Sequence, residues 1–486
     1  MVLLVMLSFL MVGAVISGLV PWSRLIGWIG VVTIGSVLSF GIVLAVHVVR
    51  RGPVVALDGV FRVDALSAFM VIVVGLVGTL ACWQSVSYLT EEVGAGRCSP
   101  RHASLYGVLV QLFLTAMLLA VIAGNLGVVW IAIEATTIAT TFLVGHRRTR
   151  GALEASWKYI AICSVGIALA FLGTVLVYLA GRHAGLHGPS SLNWVDLNAA
   201  SHGLDHGVMR LAMSLVVLGY GTKVGLFPMY SWLPDAHSQA PAPVSALMSG
   251  VLLSVGFYAI LRFKSIADGS LGIGFSRSLL IAVGLSSLVV ATSMLLAQQD
   301  YKRMLAYSSM EHMGIIALGA AAGTSLAIAA VLLHVIGHGI AKGVMFLTSG
   351  EILATEGTSE ISRIKSLLVR RPVLGGLFGF GLLALLGFPP FSLFISELNM
   401  LRAEVQVGLG WVAALGLGLM AVIFAAMLSH GRQMLLGSAD DDELPVGTSR
   451  MIAAPLVSAL VLCGAIGMLA WPLSTLLHAA ARVVAP

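Results

Sequence analysis

Fourteen apolar segments follow one another along this chain, each close to the length of a membrane-crossing helix, and that recurrence leaves few folds open to it. Cutting at polar and Pro- or Gly-rich interruptions places them at about 2–20, 25–49, 65–88, 103–123, 125–145, 155–180, 208–232, 240–263, 277–299, 303–322, 324–350, 372–401, 407–430 and 451–477. Hydrocarbon offers no partner for an unpaired backbone amide, so such segments become helices. With 58% hydrophobic and 10% charged residues, little sequence is left over for anything else. The chain therefore reads as an all-α polytopic membrane protein with about fourteen transmembrane helices, the first of them retained, since the run 2–20 has no basic residue before it and no small-residue cleavage site.

The longest hydrophilic stretches, 181–207 and 432–450, are too short for a soluble catalytic domain, so any chemistry happens within the bilayer or on partner subunits. The net charge of +6 resides mostly in loop lysines and arginines, and no stripe of basic and aromatic residues suggests a nucleic-acid partner. Cys82, Cys98, Cys163 and Cys463 are scattered without paired spacing, so neither an iron-sulfur cluster nor a structural zinc is expected here. An even number of spans puts both termini on one side of the membrane. If that side is external, fifteen basic residues fall in cytoplasmic loops and ten outside, the bias expected of a protein in a prokaryotic cell membrane with external termini. Lys223 and Lys342 fit in no loop.

Lys223 lies in GTKVGLFPMYSWLPDAHSQAP, where Pro228 must break the helix and where Asp235 and His237 follow. FPMYS at 227–231 is echoed by FPPFS at 388–392, with Pro389 and Pro390, and each break has an ionisable residue nearby, Lys223 or Glu397. Interrupted segments at matching places in two halves are the mark of inverted repeats with discontinuous helices, although five residues can also agree by chance. An ionisable group near the bilayer centre costs roughly 2.5–3.5 kcal/mol and by default needs a functional reason. Glu134 stands about ten residues from either end of its span, where it can pair with Lys223 or be a packing carboxyl bonded to a nearby threonine. His334, His338 and Lys342 recur every four residues on one helical face, with a rise of about 6 Å between neighbours, suited to proton hops through bridging waters. Buried packing histidines or a metal pair would have the same spacing, but the intervening Val335, Ile336 and Gly337 offer no ligand and a lysine would repel a cation. Glu397 can release a proton to the far side or be a surface acid at a helix end. Glu311, beside His312, is a secondary candidate on the same path. Together these residues form a polar axis parallel to the membrane, unlike a hydrolase triad or a redox site.

At these residues the sequence resembles the antiporter-like subunits of respiratory complex I, sodium/proton Mrp antiporters and membrane-bound hydrogenases. The likeness runs from about Glu134 to Glu397 and is carried by GTKVGLFPMYSWLPDAHSQAPAPVSALMSGVLL, QQDYKRMLAYSSMEHMGIIALG and HVIGHGIAKGVMFLTSGEI. It implies fourteen helices with two inverted five-helix repeats, here 103–263 and 277–430, preceded by helices in 1–102 and followed by one at 451–477. It also implies that Glu134 and Lys223 serve the first repeat, His334, His338 and Lys342 a central relay, and Glu397 an exit. Ser254 stands where many relatives have a second lysine. That departure, the APAPVSALMSGVLL wording and the compact length are more similar to the hydrogenase-4 and formate hydrogenlyase branch. The function implied is that of a proton-translocating membrane-arm subunit without a cofactor of its own, working beside other membrane-arm subunits and a peripheral redox arm with nickel-iron and iron-sulfur centres. A complex I subunit, a Mrp-type cation/proton antiporter subunit and a non-conducting scaffold are the other readings.

Overall fold

The computed structural model describes residues 2–437, 447–469 and 471–485, which are almost wholly helical. Helices α1 (Val2–Leu19) and α2 (Arg24–Arg51) lead into an antiparallel hairpin, β1 (Val54–Ala56) with β2 (Phe61–Val63), in which Val54 pairs with Val63. Then come α3 (Ala65–Gly94), α4 (Pro100–Ile122), α5 (Leu126–Val144), α6 (Arg150–His183), α7 (Trp194–Ala199), α8 (His206–Val224) and α9 (Trp232–Gln239). The next helix, α10 (Ala242–Leu247), passes through a π turn at Met248–Leu252 into α11 (Leu253–Leu271), followed by α12 (Ile273–Leu296), α13 (Tyr301–Ala322) and α14 (Ser325–Glu356). The chain ends with α15 (Leu367–Arg370), α16 (Pro372–Leu385), α17 (Ser392–Gln406), α18 (Gly410–Leu435), α19 (Arg450–Met468) and α20 (Trp471–Val484).

Eleven of the described helices, counting α10–α11 as one, are long and apolar enough to cross a membrane. Three further expected spans fall on α8, α13 and the interrupted pair α16 and α17, which carry Lys223, Glu311 and Glu397. The helices least like ordinary spans are thus those with the candidate proton groups. The expected last span, 451–477, covers two helices, because α19 stops at Met468 and α20 begins a separate segment.

The bundle encloses its polar helices. The most apolar stretches of α10–α11 and α14 are wholly buried and that of α3 is 83% buried, whereas α1, α2, α6, α12 and α18 face outward over most of their surfaces. Small residues permit a close approach between α6 and α8, where a Cβ on Gly219 would stand 2.4 Å from the Ala170 nitrogen and one on Gly166 2.5 Å from the Thr222 Cβ. That approach sets Lys223 of α8 against Tyr159 of α6.

Both interruptions are built alike. At the first, α8 ends on Gly225 with φ +79, and a cis peptide joins Phe227 to Pro228. At the second, Gly387 has φ +66, and a cis peptide joins Pro389 to Pro390. In each the glycine takes the left-handed conformation that ends the helix, and the proline three residues later cannot resume the amide ladder. Phe227 N then donates to Ser287 Oγ on α12 at 2.9 Å, which replaces one lost helical bond.

Three basic residues expected in loops are buried instead. Arg262 on α11 makes two bonds to Asp64, at 2.7 and 2.8 Å, and one to Ser67 Oγ at 3.0 Å, under the Trp194 ring at 4.0 Å. Asp64 also caps α3 through Ser67 N. Lys264 pairs with Asp268 at 2.5 Å, and Lys302 donates to the carbonyls of Ser238 and Ala240 at 2.6 and 3.3 Å. Partners neutralise or satisfy these charges inside the protein, so their sign does not report on loop position, and the count that favours external termini loses three of its members. Because a buried charge stripped of its partner costs about 3–5 kcal/mol, Arg262→Met is expected to lower the thermal stability of the detergent-purified protein sharply. The double variant Asp64→Leu/Arg262→Met is expected to recover most of the loss; equal unfolding midpoints for the two would disprove this account.

Candidate functional site

The first polar cluster is made by α5, α6 and α8. Lys223 is fully buried, and its Nζ donates to Tyr159 OH at 2.6 Å and to Thr137 Oγ1 at 2.9 Å, 4.8 Å from the Tyr159 ring centre. Thr137 Oγ1 in turn donates to Glu134 Oε2 at 3.2 Å, one helical turn back on α5. Tyr159 OH also lies 2.5 Å from Thr140 Oγ1, and its ring meets Trp232 edge-on, 5.0 Å between centres. Trp232 fixes the break itself, since its Nε1 donates to the carbonyl of Thr222 at 2.8 Å. The expected direct ion pair of Glu134 and Lys223 is therefore corrected: Thr137 stands between them. Glu134 keeps the threonine bond that a packing carboxyl would have, yet through that threonine it remains joined to the lysine.

The second cluster is made by α13, α14 and α17. Lys342 is fully buried, donates to the Leu305 carbonyl at 2.8 Å and bonds Ser308 Oγ. His334 and His338 stand 6.4 Å apart between ring centres, as their spacing predicts. His312 lies against both, at 5.1 Å from each, and its Nδ1 is 3.0 Å from His334 Nε2. The other ring nitrogen of His334 is 3.0 Å from Ser396 Oγ, one residue before Glu397. Donor atoms of His312, His334 and Glu397 lie within 4.8 Å of one another. With both nitrogens of His334 already bonded, that trio suits a hydrogen-bonded relay better than a metal. Glu397 folds over the second break, its Oε2 2.6 Å from where a Cβ on Gly387 would be, and with Glu311 it lines a cavity of about 500 Å³ between α17 and α18.

Between the clusters the interior is lined by serines. Ser249, in the π turn, is 2.7 Å from Ser309 Oγ, the neighbour of Ser308. Ser254 is buried with no protein partner for its hydroxyl, as are both ring nitrogens of His338 and Nε2 of His312. Buried polar atoms of this kind are ordinarily satisfied by water. The secondary candidates part company. His237 is buried with both ring nitrogens unpartnered and stacks on Phe346 at 5.1 Å. Asp235 lies outside the row, in bonds to Lys158 at 3.1 Å and Arg303 at 2.8 Å that clasp α9 to α6 and α13.

Helices buried on all sides, two broken spans and a row of ionisable groups between them define an antiporter-like membrane subunit. The chain belongs to the NADH:quinone oxidoreductase/Mrp antiporter transmembrane family, whose model matches residues 123–424. It is 37% identical over 408 residues to the hydrogenase-4 component F homolog of Methylacidiphilum infernorum, covering 84% of this chain and 85% of that one. Against hydrogenase-4 component B of Escherichia coli it is 31% identical over 70% of its own length but spans only half of that protein. Among solved structures it superposes on a chain of the membrane-bound sulfane sulfur reductase, an archaeal respiratory membrane complex, with a TM-score of 0.89 and 25% identity over 100% of this chain and 98% of the other.

Proposed function

We propose that the chain translocates protons as a membrane-arm subunit of a redox-driven complex of the hydrogenase-4 type. The observation that carries this is the bonded series Lys223, Thr137 and Glu134, a lysine held inside the bundle and joined by one hydroxyl to a carboxyl on the next helix. A lysine so held exchanges its proton for very little rearrangement of the protein, and a second one, Lys342, is held by hydroxyl and carbonyl groups in the same manner. In this reading 103–263 and 277–430 act as inverted halves. Glu134 and Lys223 load the first, while Lys342, His338, His312 and His334 pass the charge through the second to Glu397. Waters carry it past Ser254 and from Lys342 to His338. Electron transfer belongs to partner subunits with nickel-iron and iron-sulfur centres, and the chain sits in a prokaryotic cell membrane with both termini outside. The likeness to hydrogenase-4 components favours this branch over a complex I subunit or a Mrp-type antiporter subunit.

The test is purification of the tagged protein from its native membrane in mild detergent, with partners identified by mass spectrometry. A peripheral arm with nickel-iron or iron-sulfur subunits is the expected result. Recovery with small hydrophobic subunits only, and sodium-dependent proton exchange in vesicles, would move the chain to the secondary antiporters.

A further inference from the structure

Away from the polar row, the outer surface of the bundle carries a groove of about 690 Å³ between α2 on one side and α19 and α20 on the other, floored by α3 and α14. It follows α2 from Leu38 to Arg50, a rise of about 18 Å at 1.5 Å per residue. One leaflet of a bilayer core is roughly 15 Å deep, so the groove has the depth of a single acyl layer. Leu76 and Ile336 form part of its floor, Leu462 and Leu476 part of the far wall, and Arg50 is the one charged residue on its lining. Arg51 follows at the end of α2. Both arginines are exposed, and neither takes part in an ion pair or hydrogen bond among the described residues.

An apolar slot one leaflet deep, with the unpaired guanidinium of Arg50 on its lining and that of Arg51 on the next residue of α2, has the chemistry of a phospholipid site. We propose that this groove binds an anionic phospholipid, an acyl chain lying along α2 and the phosphate on Arg50 and Arg51. A protein helix would match the apolar walls equally well, but it would not call for two cations at one end, and an arginine fork fits phosphate oxygens better than any apolar partner. The site has a structural consequence for the row. Ile336 lies two residues from both His334 and His338, about 200° around α14, so the backbone of this one helix separates the histidines from the groove. An acyl chain seated there keeps water off the back of α14 and confines the polar path to its front.

The test uses the intact complex extracted from its native membrane, stripped of loosely held lipid and titrated with phosphatidylglycerol under native mass spectrometry. One tightly held phosphatidylglycerol per copy is expected, bound about thirtyfold more weakly by Arg50→Gln/Arg51→Gln, the factor expected for two basic residues near an anionic headgroup. Ala465→Phe, which fills the slot from the α19 wall, should remove the lipid with subunit composition unchanged. Unaltered binding in the double arginine variant overturns the proposal, as does equal binding of phosphatidylcholine. If Ala465→Phe instead releases a protein subunit, the groove holds a partner helix and the proposal fails. Should that variant not accumulate, the arginine variant, confined to the surface, decides alone.

Discussion

Lys223→Ala abolishes proton translocation, a loss of at least about a hundredfold, while dye-linked electron transfer in the peripheral arm persists. The magnitude is that of removing a positioned proton donor from a transfer step. Alanine leaves Tyr159 and Thr137 facing an empty site and cuts the bonded connection from the α8 break through Thr137 to Glu134. Glu134→Gln is expected to give the same split, since its amide has no proton to surrender at neutral pH. Thr137→Val separates this account from direct pairing: it removes a single hydroxyl, retains both charges, and is expected to lose nearly as much as Lys223→Ala. The measurement is proton uptake into vesicles by a fluorescent probe, beside the redox rate of the same preparation. Proton uptake unchanged in all three variants would mean a scaffold, and equal loss of redox activity in an intact assembly would refute the separation of roles.

His312→Leu is the second large expected effect. The spacing of His334 and His338 suggests a path along α14 alone, in which water would bridge about 6 Å. His312 on α13 offers a route with a shorter gap, because it packs against both rings and bonds that of His334, so that only the step from His338 to His312 lacks a direct hydrogen bond. Its replacement should reduce proton translocation by about a hundredfold, and His312→Gln, which keeps polar atoms near the same place, should recover part of it. If His338→Leu abolishes translocation while His312→Leu leaves it untouched, the path runs along α14 and the contact between α13 and α14 is packing.

Much of the architecture is legible in hydropathy, for a bilayer allows an apolar run of 20 residues little choice. The two breaks are legible too, since each sets a glycine three residues before a proline, whereas Pro455, without such a glycine, is accommodated inside α19. What escaped was chemistry without a charge. Thr137, Tyr159, Ser308 and Ser396 look like ordinary polar members of spans, and only the close packing permitted by Gly166 and Gly219 brings a tyrosine of α6 to a lysine of α8. Charge was also misread where its partner lay far along the chain. Arg262 and Asp64 are separated by 198 residues, so nothing near either one announces the pair. The hairpin of β1 and β2 does have a local signal, Asp58-Gly59 between two short apolar runs, but a search for segments of membrane length passes over it.

The bond order at Thr137 has a further consequence. Its hydroxyl accepts from Lys223 and donates to Glu134, and it has one hydrogen to give. Once that hydrogen has passed to the carboxylate and another has come from the ammonium, the hydroxyl points the wrong way and must rotate before it can serve again. If the proposed path runs through this hydroxyl, the link would act as a turnstile, each passage requiring a rotation before the next. Coupling built on such a part needs no large movement of the bundle, because the rotation of a single side-chain bond is enough to stop a second proton from following the first.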